Sequence, residues 1–509
     1  MAVRKRLLCV FLVLLLVVAE VYVGTISVSE REKALQDAVV TKDTITIWYT
    51  DETLADYINS VALRYYEDTD IRVETMFVEE EEYLETVNQA SIGGAGPDLF
   101  IIGNDNLEMA YLAGLAGEVT DPHHTFDTNA FSQTALNAAT YNYKLVAYPF
   151  YFEESVLLYN KTHLFTVAEA ELVEQMFGGT AVEDEELSEE ELESMGRNMT
   201  GSAEEADTVF ENGSIEYPPT LAMTSDVESY LNEASKRIVP TSIKGIIEFA
   251  DSYIAPSEVR SIFKWDVNDI FYNYFFIGNY MNLGGECGDD YNEIDLYNTD
   301  TLACMSVYKQ LNQFFSIDAD DVDYDRVLEE FMNGEIIFTV VTTDAVAKLD
   351  EAREEGKFTY EYGIAPMPDL TEELKGRGMS KTECIAINGY SEHKAYANEF
   401  AEYLTYNCAD SFYERTGKFA CRSDIKTGNP NIGVIYEEYS RTIPMPKLMR
   451  IANFWIQLEI CFSRVWRGEE TNIWLQYLGQ QVLSQLNGSK VVLDRIDDVD
   501  VDLGIRSDI

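Results

Sequence analysis

Cations are scarce in this chain, and so are histidine and clustered cysteine. Its 509 residues carry 37 Lys and Arg against 90 Asp and Glu, a formal charge of −53 at pH 7. That balance argues against nucleic acid as a partner, because a phosphate backbone is held by clustered Lys and Arg. Four histidines and seven cysteines, with no CxxC spacing and no Cys/His cluster, leave no zinc signature. An EF-hand loop, a phosphate loop and a nucleophile elbow are also missing, so no cofactor is implied. The acidic excess reads first as a strongly solvated surface. Cys287, Cys304, Cys384, Cys408, Cys421 and Cys461 are widely scattered, which leaves open either one or two disulfides or buried free thiols.

One long apolar run is present, at the N-terminus. Arg4, Lys5 and Arg6 precede Leu7 to Val18, the build of an export signal. Residues 1–24 are therefore expected to be a cleaved signal or a retained membrane anchor. Cys9 lies before the run, badly placed for lipid attachment. The basic flank puts the rest of the chain outside the cytoplasm.

Beyond that run, strand and helix patterns alternate. "TITIWY" (44–49) is β-branched and aromatic, and "ETLADYINSVALRYYEDT" after it has helical spacing. "IRVETMFV" alternates as a strand, "EEEEYLETVNQASI" follows as a polar helix, and "GGAGPDLFIIG" turns into a buried strand. This order predicts an α/β fold built on a parallel sheet, with ligands near the carboxyl ends of its strands. In "NYKLVAYPFYFEESVLLYNK" (142–161), two short apolar runs flank a knot of aromatics with Glu153 and Glu154. Residues 165–239 turn acidic and Gly/Ser-bearing, as in "VEDEELSEEELES", and are expected to be a mobile insertion. Pro240 and Thr241 read as the start of the next helix. "NDIFYNYFFIGNYMNLGG" concentrates rings at helical spacing, most of them expected in the core. "FMNGEIIFTVVTTDAVAKL" reads as turn, strand and helix.

These segments together carry a resemblance. "ITIWYTDE", "GAGPDLFIIGNDNL", "YNYKLVAYPFYFEESVLLYNK", "FMNGEIIFTV", "YGIAPMPDL" and "IANFWIQLEICFSRVWRGEET" fall in the order found in extracellular solute-binding proteins of ABC importers. The chain is most similar to the maltose/maltodextrin binders, from Thr44 to about Leu486. The resemblance implies an α/β, two-lobed clamp whose chain crosses between lobes three times. The N-terminal lobe would comprise residues 44–152 and 364–416, and the C-terminal lobe 153–363 and 417–493. The insertion 165–239 would belong to the second lobe, and an acidic tail would occupy 494–509. The crossings would run through Tyr148 to Glu154, "GIAPMPD" and the region around "TGKFACRSD". The implied protein is an exported monomer, not an enzyme. It would bind a small-molecule carbohydrate, deliver it to membrane permease subunits, and associate with the membrane through its N-terminal segment.

A sugar offers hydroxyls to carboxylates and C–H faces to flat rings, and a charge-assisted hydrogen bond contributes about 1.5–3 kcal/mol. By resemblance, Glu153 and Asp105 match acids that take ligand hydroxyls, and Asp51 or Glu52 sits where another occurs. Trp455 matches a stacking ring, and Phe271 or Tyr274 matches an aromatic of the same cleft. Trp48 and Asp344 complete the candidates. The pattern also departs: Ile102 and Asn106 stand where the maltose binders place Trp and Arg, and Asp344 stands in for a second stacking Trp. A maltose ligand is thereby put in doubt, and a cationic or strongly hydroxylated one becomes an alternative. Two further readings remain: a surface sensor without a transporter, and a glycosidase using Glu153 with Asp105 or Glu154. Neighbours on a strand point to opposite faces, so only one of Glu153 and Glu154 can line a cleft.

Overall fold

The computed structural model describes residues 44–177, 225–425 and 429–505. The signal or anchor at 1–24, the centre of the acidic insertion and the last residues of the tail lie outside the described residues. Among the described residues no helix is long and apolar enough to cross a membrane.

A ten-stranded sheet organises the chain. Its strands are β1 (Thr44–Tyr49), β2 (Arg72–Phe77), β3 (Leu99–Gly103), β4 (Tyr148–Asn160), β5 (Ser261–Phe263), β6 (Ile336–Thr342), β7 (Tyr362–Ala365), β8 (Met379–Ile387), β9 (Phe419–Ala420) and β10 (Ile443–Pro444). The main path runs β2-β1-β3-β8-β4-β6-β5, with β7 and β9 added to β4 and β10 added to β8. The expected parallel sheet needs correction, because the sheet is mixed. β1 is parallel to both β2 and β3, where helices Ala55–Thr69 and Tyr83–Ile92 carry the chain back. In the middle, β8 runs antiparallel to β3 and β4, and β6 antiparallel to β4.

β4 is the member that joins the two ends of the sheet. The two short apolar runs and the knot of aromatics between them are parts of one element, a continuous strand of 13 residues with its lead-in. Its alternation is hidden because both faces are covered, leaving Glu153 as its one exposed residue. Residues Tyr148 to Glu154 pair with β8, and Ser155 to Tyr159 pair with β6. The partner thus changes between Glu154 and Ser155. Extended residues at such a handover can absorb the dihedral changes of a hinge.

Several local expectations also shift. Ser242, not Pro240 or Thr241, caps the helix Ile243–Ser252, its hydroxyl accepting from the Gly245 amide. The ring-rich stretch 270–276 forms a four-residue helix and a 3-10 turn rather than a long helix. Its Tyr272, Tyr274, Phe275 and Phe276 are buried, joining a core where Trp265 stacks on Phe263 at 4.5 Å and meets Trp466 edge-on at 5.6 Å. The insertion at 165–239 is expected to be mobile, yet its two ends lie in helices Lys161–Phe177 and Ser225–Ile238. Leu164, Ala168 and Leu172 on one, and Leu231 and Ala234 on the other, are buried; this helical spacing survives beneath the acidic composition. The tail from 494 to 505 is likewise docked. Leu503 is buried, the Val501 carbonyl accepts from Gln310 Nε2 at 2.8 Å, and the Ile496 amide donates to Tyr297 Oη at 2.9 Å. The six described cysteines are all free thiols, five of them buried.

Candidate functional site

The site grows from the pleat of β4 and β8. Alternation turns Glu153 outward and seals Glu154 in the core. Directly across, Lys381 on β8 is the register partner of Glu153, and Glu383 that of Tyr151. Lys381 and Glu383, two apart on one strand, share a face and form an ion pair at 3.0 Å. On the other side of β4, β9 pairs with Tyr151 and Phe152, which brings Lys418 beside Glu153.

Three loops wall this floor. The turn after β1 supplies Thr50, Asp51 and Glu52, the turn after β6 supplies Thr343 and Asp344, and Thr416 to Lys418 lead into β9. Together they enclose a cleft of about 560 Å³. A second compartment of about 500 Å³ adjoins it, sharing Thr50, Glu80, Lys381 and Glu383 and reaching Tyr83, Ile102 and Asn106. A smaller recess of about 220 Å³ lies beyond Asn106 and Met109, lined by Asp105, Lys447 and Trp455. The three spaces form a chain of neighbours, each sharing residues with the next.

Charges in the cleft are tightly arranged. Asp51 accepts from the Thr53 amide at 2.9 Å and hydroxyl at 2.6 Å, and pairs with Lys418 at 2.9 Å. Burial opposes its charge, but these donors outweigh it and hold the carboxyl below its usual range. Asp344 accepts from Tyr324 Oη at 2.9 Å and from the Thr342 hydroxyl, and pairs with Lys348 at 2.9 Å. Although solvent reaches its side chain, the protein crowded around the floor of the cleft and then repulsion from Asp344 push Glu153 up, with Lys418 and Lys381 only partly offsetting this. Glu383 is raised by burial despite Lys381, while Lys381 is itself raised, chiefly by Glu383. Lys447, sealed in the third recess, donates to the Asn137 carbonyl at 3.1 Å and to the Cys287 carbonyl; burial lowers it to about 8.

The sequence candidates therefore fall into separate places. Asp51, Glu52, Glu153 and Asp344 line the main cleft. Asp105 and Trp455 line the third recess, with the Tyr274 ring 6.1 Å behind that of Trp455. Tyr274 is fully buried and its hydroxyl makes no hydrogen bond, so it backs the recess without facing it. Phe271 is half-buried and lines none of these spaces; its carbonyl accepts from the Ser155 hydroxyl at 2.9 Å. Trp48 does not reach the cleft either. It packs in a core cluster with Phe100, Ile102 and Leu107, and its carbonyl accepts from Tyr83 Oη at 3.0 Å. The second residue after it, Thr50, is the first to line the cleft.

Lys381, Glu383, Lys418 and Tyr151 were missed. Their signal is present: "MSKTECIAI" sets Lys381 and Glu383 two apart, on one face of a strand, and Lys418 lies in "TGKFACRSD". Among the described residues, no group of three or more His, Cys, Asp or Glu is arranged to hold a metal ion.

The architecture, a mixed sheet wrapped by helices, is of the two-lobed α/β kind. No family model matches the sequence, but solved structures do match the fold. An extracellular solute-binding protein from Staphylococcus aureus in complex with maltose aligns with a TM-score of 0.65 at 15% identity, covering 87% of this chain and 98% of that one. A cyclo/maltodextrin-binding protein complexed with maltotetraose aligns at 0.62 with 17% identity, over 88% and 97%. The maltose–maltodextrin binding protein of Alicyclobacillus acidocaldarius aligns at 0.57 with 13% identity, over 87% and 100%. At such identities the likeness is one of fold, and the expected two-lobed α/β architecture is borne out.

Proposed function

We propose that this chain is a non-catalytic binder of a saccharide, held between the two halves of the sheet and handed to permease subunits of an ABC importer. The observation that carries the reading is the cleft itself. It opens where β4 changes partners, and its floor and walls combine carboxylates, ammonium groups and the edge of Tyr151. Donors and acceptors of both signs suit a polyhydroxylated guest, which must exchange water for fixed partners. The chain of compartments from Glu153 past Asn106 to Trp455 suits an oligomer rather than a single ring. Export to the outer face of the membrane, action as a monomer and attachment through residues 1–24 belong to the same proposal. The glycosidase reading loses both of its pairs, because Glu154 is sealed in the core and Asp105 lines the third recess rather than the cleft of Glu153.

Calorimetry over a panel of oligosaccharides tests the reading, alongside small-angle scattering. Binding with a reduced radius of gyration and unaltered ligand is expected. Steady release of shortened sugar, or no heat with any saccharide, overturns it.

A further inference from the structure

The third recess has two sides that come from distant parts of the chain. Asp105, Asn106 and Met109 belong to the turn and short helix after β3, whereas Lys447, Met449 and Trp455 belong to the turn after β10 and the helix it feeds. A residue that does not itself line the recess ties these sides together. Glu108, on the helix Leu107–Leu112, is 3% exposed although its neighbours Asn106 and Met109 face the open space. Its carboxylate accepts from the Met449 amide at 2.7 Å, from Tyr291 Oη at 2.8 Å and from Tyr141 Oη at 3.1 Å. The three donors lie on three separate segments, and Met449 is 341 positions further along the chain.

Two of these bonds act on one turn. Tyr291 Oη also accepts from the Arg450 amide at 3.3 Å, and the Arg450 guanidinium lies 5.0 Å over the Tyr291 ring. Both contacts therefore seat the 3-10 turn Met449–Ile451, and Trp455 is the second residue of the helix that follows it. The start of the same segment is fixed by Asn104, a buried residue whose Nδ2 donates to the Met445 carbonyl at 2.7 Å and whose Oδ1 accepts from the Thr382 amide of β8 at 3.0 Å. Bonds to a carboxylate are shorter and stronger than neutral ones. A buried acid nevertheless adds little net stability, because its desolvation offsets them. What such a group does supply is geometry.

We propose that Glu108 is a positioning residue of the binding site: by fastening Met449 and Tyr291 to the helix after Asn106, it sets the gap between Asn106 and Trp455 and so the length of saccharide that the protein grips. This rests on the saccharide reading above and adds what decides ligand length. A short saccharide seated against Glu153 stops before the gap, and a longer one enters it through the compartment beside Asn106. With the turn fastened, the Trp455 wall is already in place when the far units arrive. Without it, the ordering of that wall is charged against the affinity of the longer ligand alone.

The test is titration calorimetry on the full chain, with the dimers and tetramers of the malto-, cello- and xylo-oligosaccharide series as probes. The wild type is expected to bind the tetramer of at least one series about tenfold more tightly than its dimer. Glu108→Ala should bind that dimer as the wild type does and lose most of the tetramer's advantage, because the Met449 and Tyr291 donors are left without their acceptor. Glu108→Gln keeps an oxygen for the Met449 amide and should restore part of the advantage. Tyr291→Phe, a milder change that leaves the Met449 bond intact, should lose less of it than Glu108→Ala. A merely structural role would weaken dimer and tetramer alike. That result, an undiminished advantage in both Glu108→Ala and Tyr291→Phe, or a wild-type tetramer no tighter than its dimer overturns the assignment while the saccharide reading stands. No binding of any saccharide by the wild type overturns both.

Discussion

Replacing Glu438 by Gln should flatten the pH dependence of this protein's stability. Glu438 lies on the helix Pro430–Arg441, 1% exposed, with Arg441 as its ion-pair partner at 3.3 Å. Burial pushes its carboxyl up from 4.5 to about 7, Arg441 offsetting only part of this. Glu154, on β4, is fully buried with neither oxygen hydrogen-bonded, and it too is raised, first by burial and then by Glu438. The native state therefore holds a proton on Glu438 up to about pH 7, whereas the unfolded chain releases it near 4.5. Between those values the unfolded state binds fewer protons, so stability is highest at the acid end and falls as pH rises. The full slope is about 1.36 kcal/mol per pH unit and is reduced near each of the two values, so the loss from this group between about pH 5 and pH 7 is about 2 kcal/mol. Urea unfolding followed by tryptophan fluorescence at intervals across that range measures it. The wild-type protein should lose about 2 kcal/mol more than Glu438→Gln, and Arg441, nearly half exposed, should be satisfied by water in the variant. Parallel pH profiles for the two proteins would refute the reasoning.

Other expectations concern the cleft and its support. Trp455→Ala should cost more than about 1 kcal/mol of saccharide affinity without unfolding the chain, since it removes a half-buried wall of the third recess; titration calorimetry reads this. Lys381→Met should weaken ligand binding and make Glu383 harder to ionise, because it deletes the ammonium that opposes the burial of that acid; a shift of the binding–pH profile to higher pH reports it. Lys418→Ala should change stability by less than about 1 kcal/mol, because its pair with Asp51 is partly exposed. Gly278→Ala should destabilise by more than about 2 kcal/mol, its new methyl meeting the Arg377 carbonyl and the Tyr274 ring.

How much of this was legible depended on whether a residue's role is local. "TITIWY" and "LFIIG" become β1 and β3 because short apolar, β-branched runs have few other outcomes. Asp51 and Glu153, singled out through the resemblance, do line the main cleft, one following a strand and the other interrupting an apolar one. Trp48 could not be separated from them by pattern alone, since its face of β1 is fixed by contacts with Phe100 and Ile102. Lys381 was hidden for the opposite reason. Alternating polar residues on a strand usually mean solvent, and only the pairing of β8 with β4 turns that face into a cleft floor. The rings at 270–276 have helical spacing, yet Asp269 caps a helix that stops after Asn273. Ionic details such as the seating of Lys447 beneath Trp455 depend on segments about 160 and 310 residues away, which no local window contains.

The shared strand β4 has a consequence for how the chain comes into being. Its first half waits for β8, more than two hundred residues downstream, and its second half waits for β6. During synthesis the early segment emerges with open edges and no partner to cover them. Closing loops of that size is slow, so the pairing that unites the two ends of the sheet is completed only after β8 has been made. Until then the two ends of the sheet are held together by the chain alone.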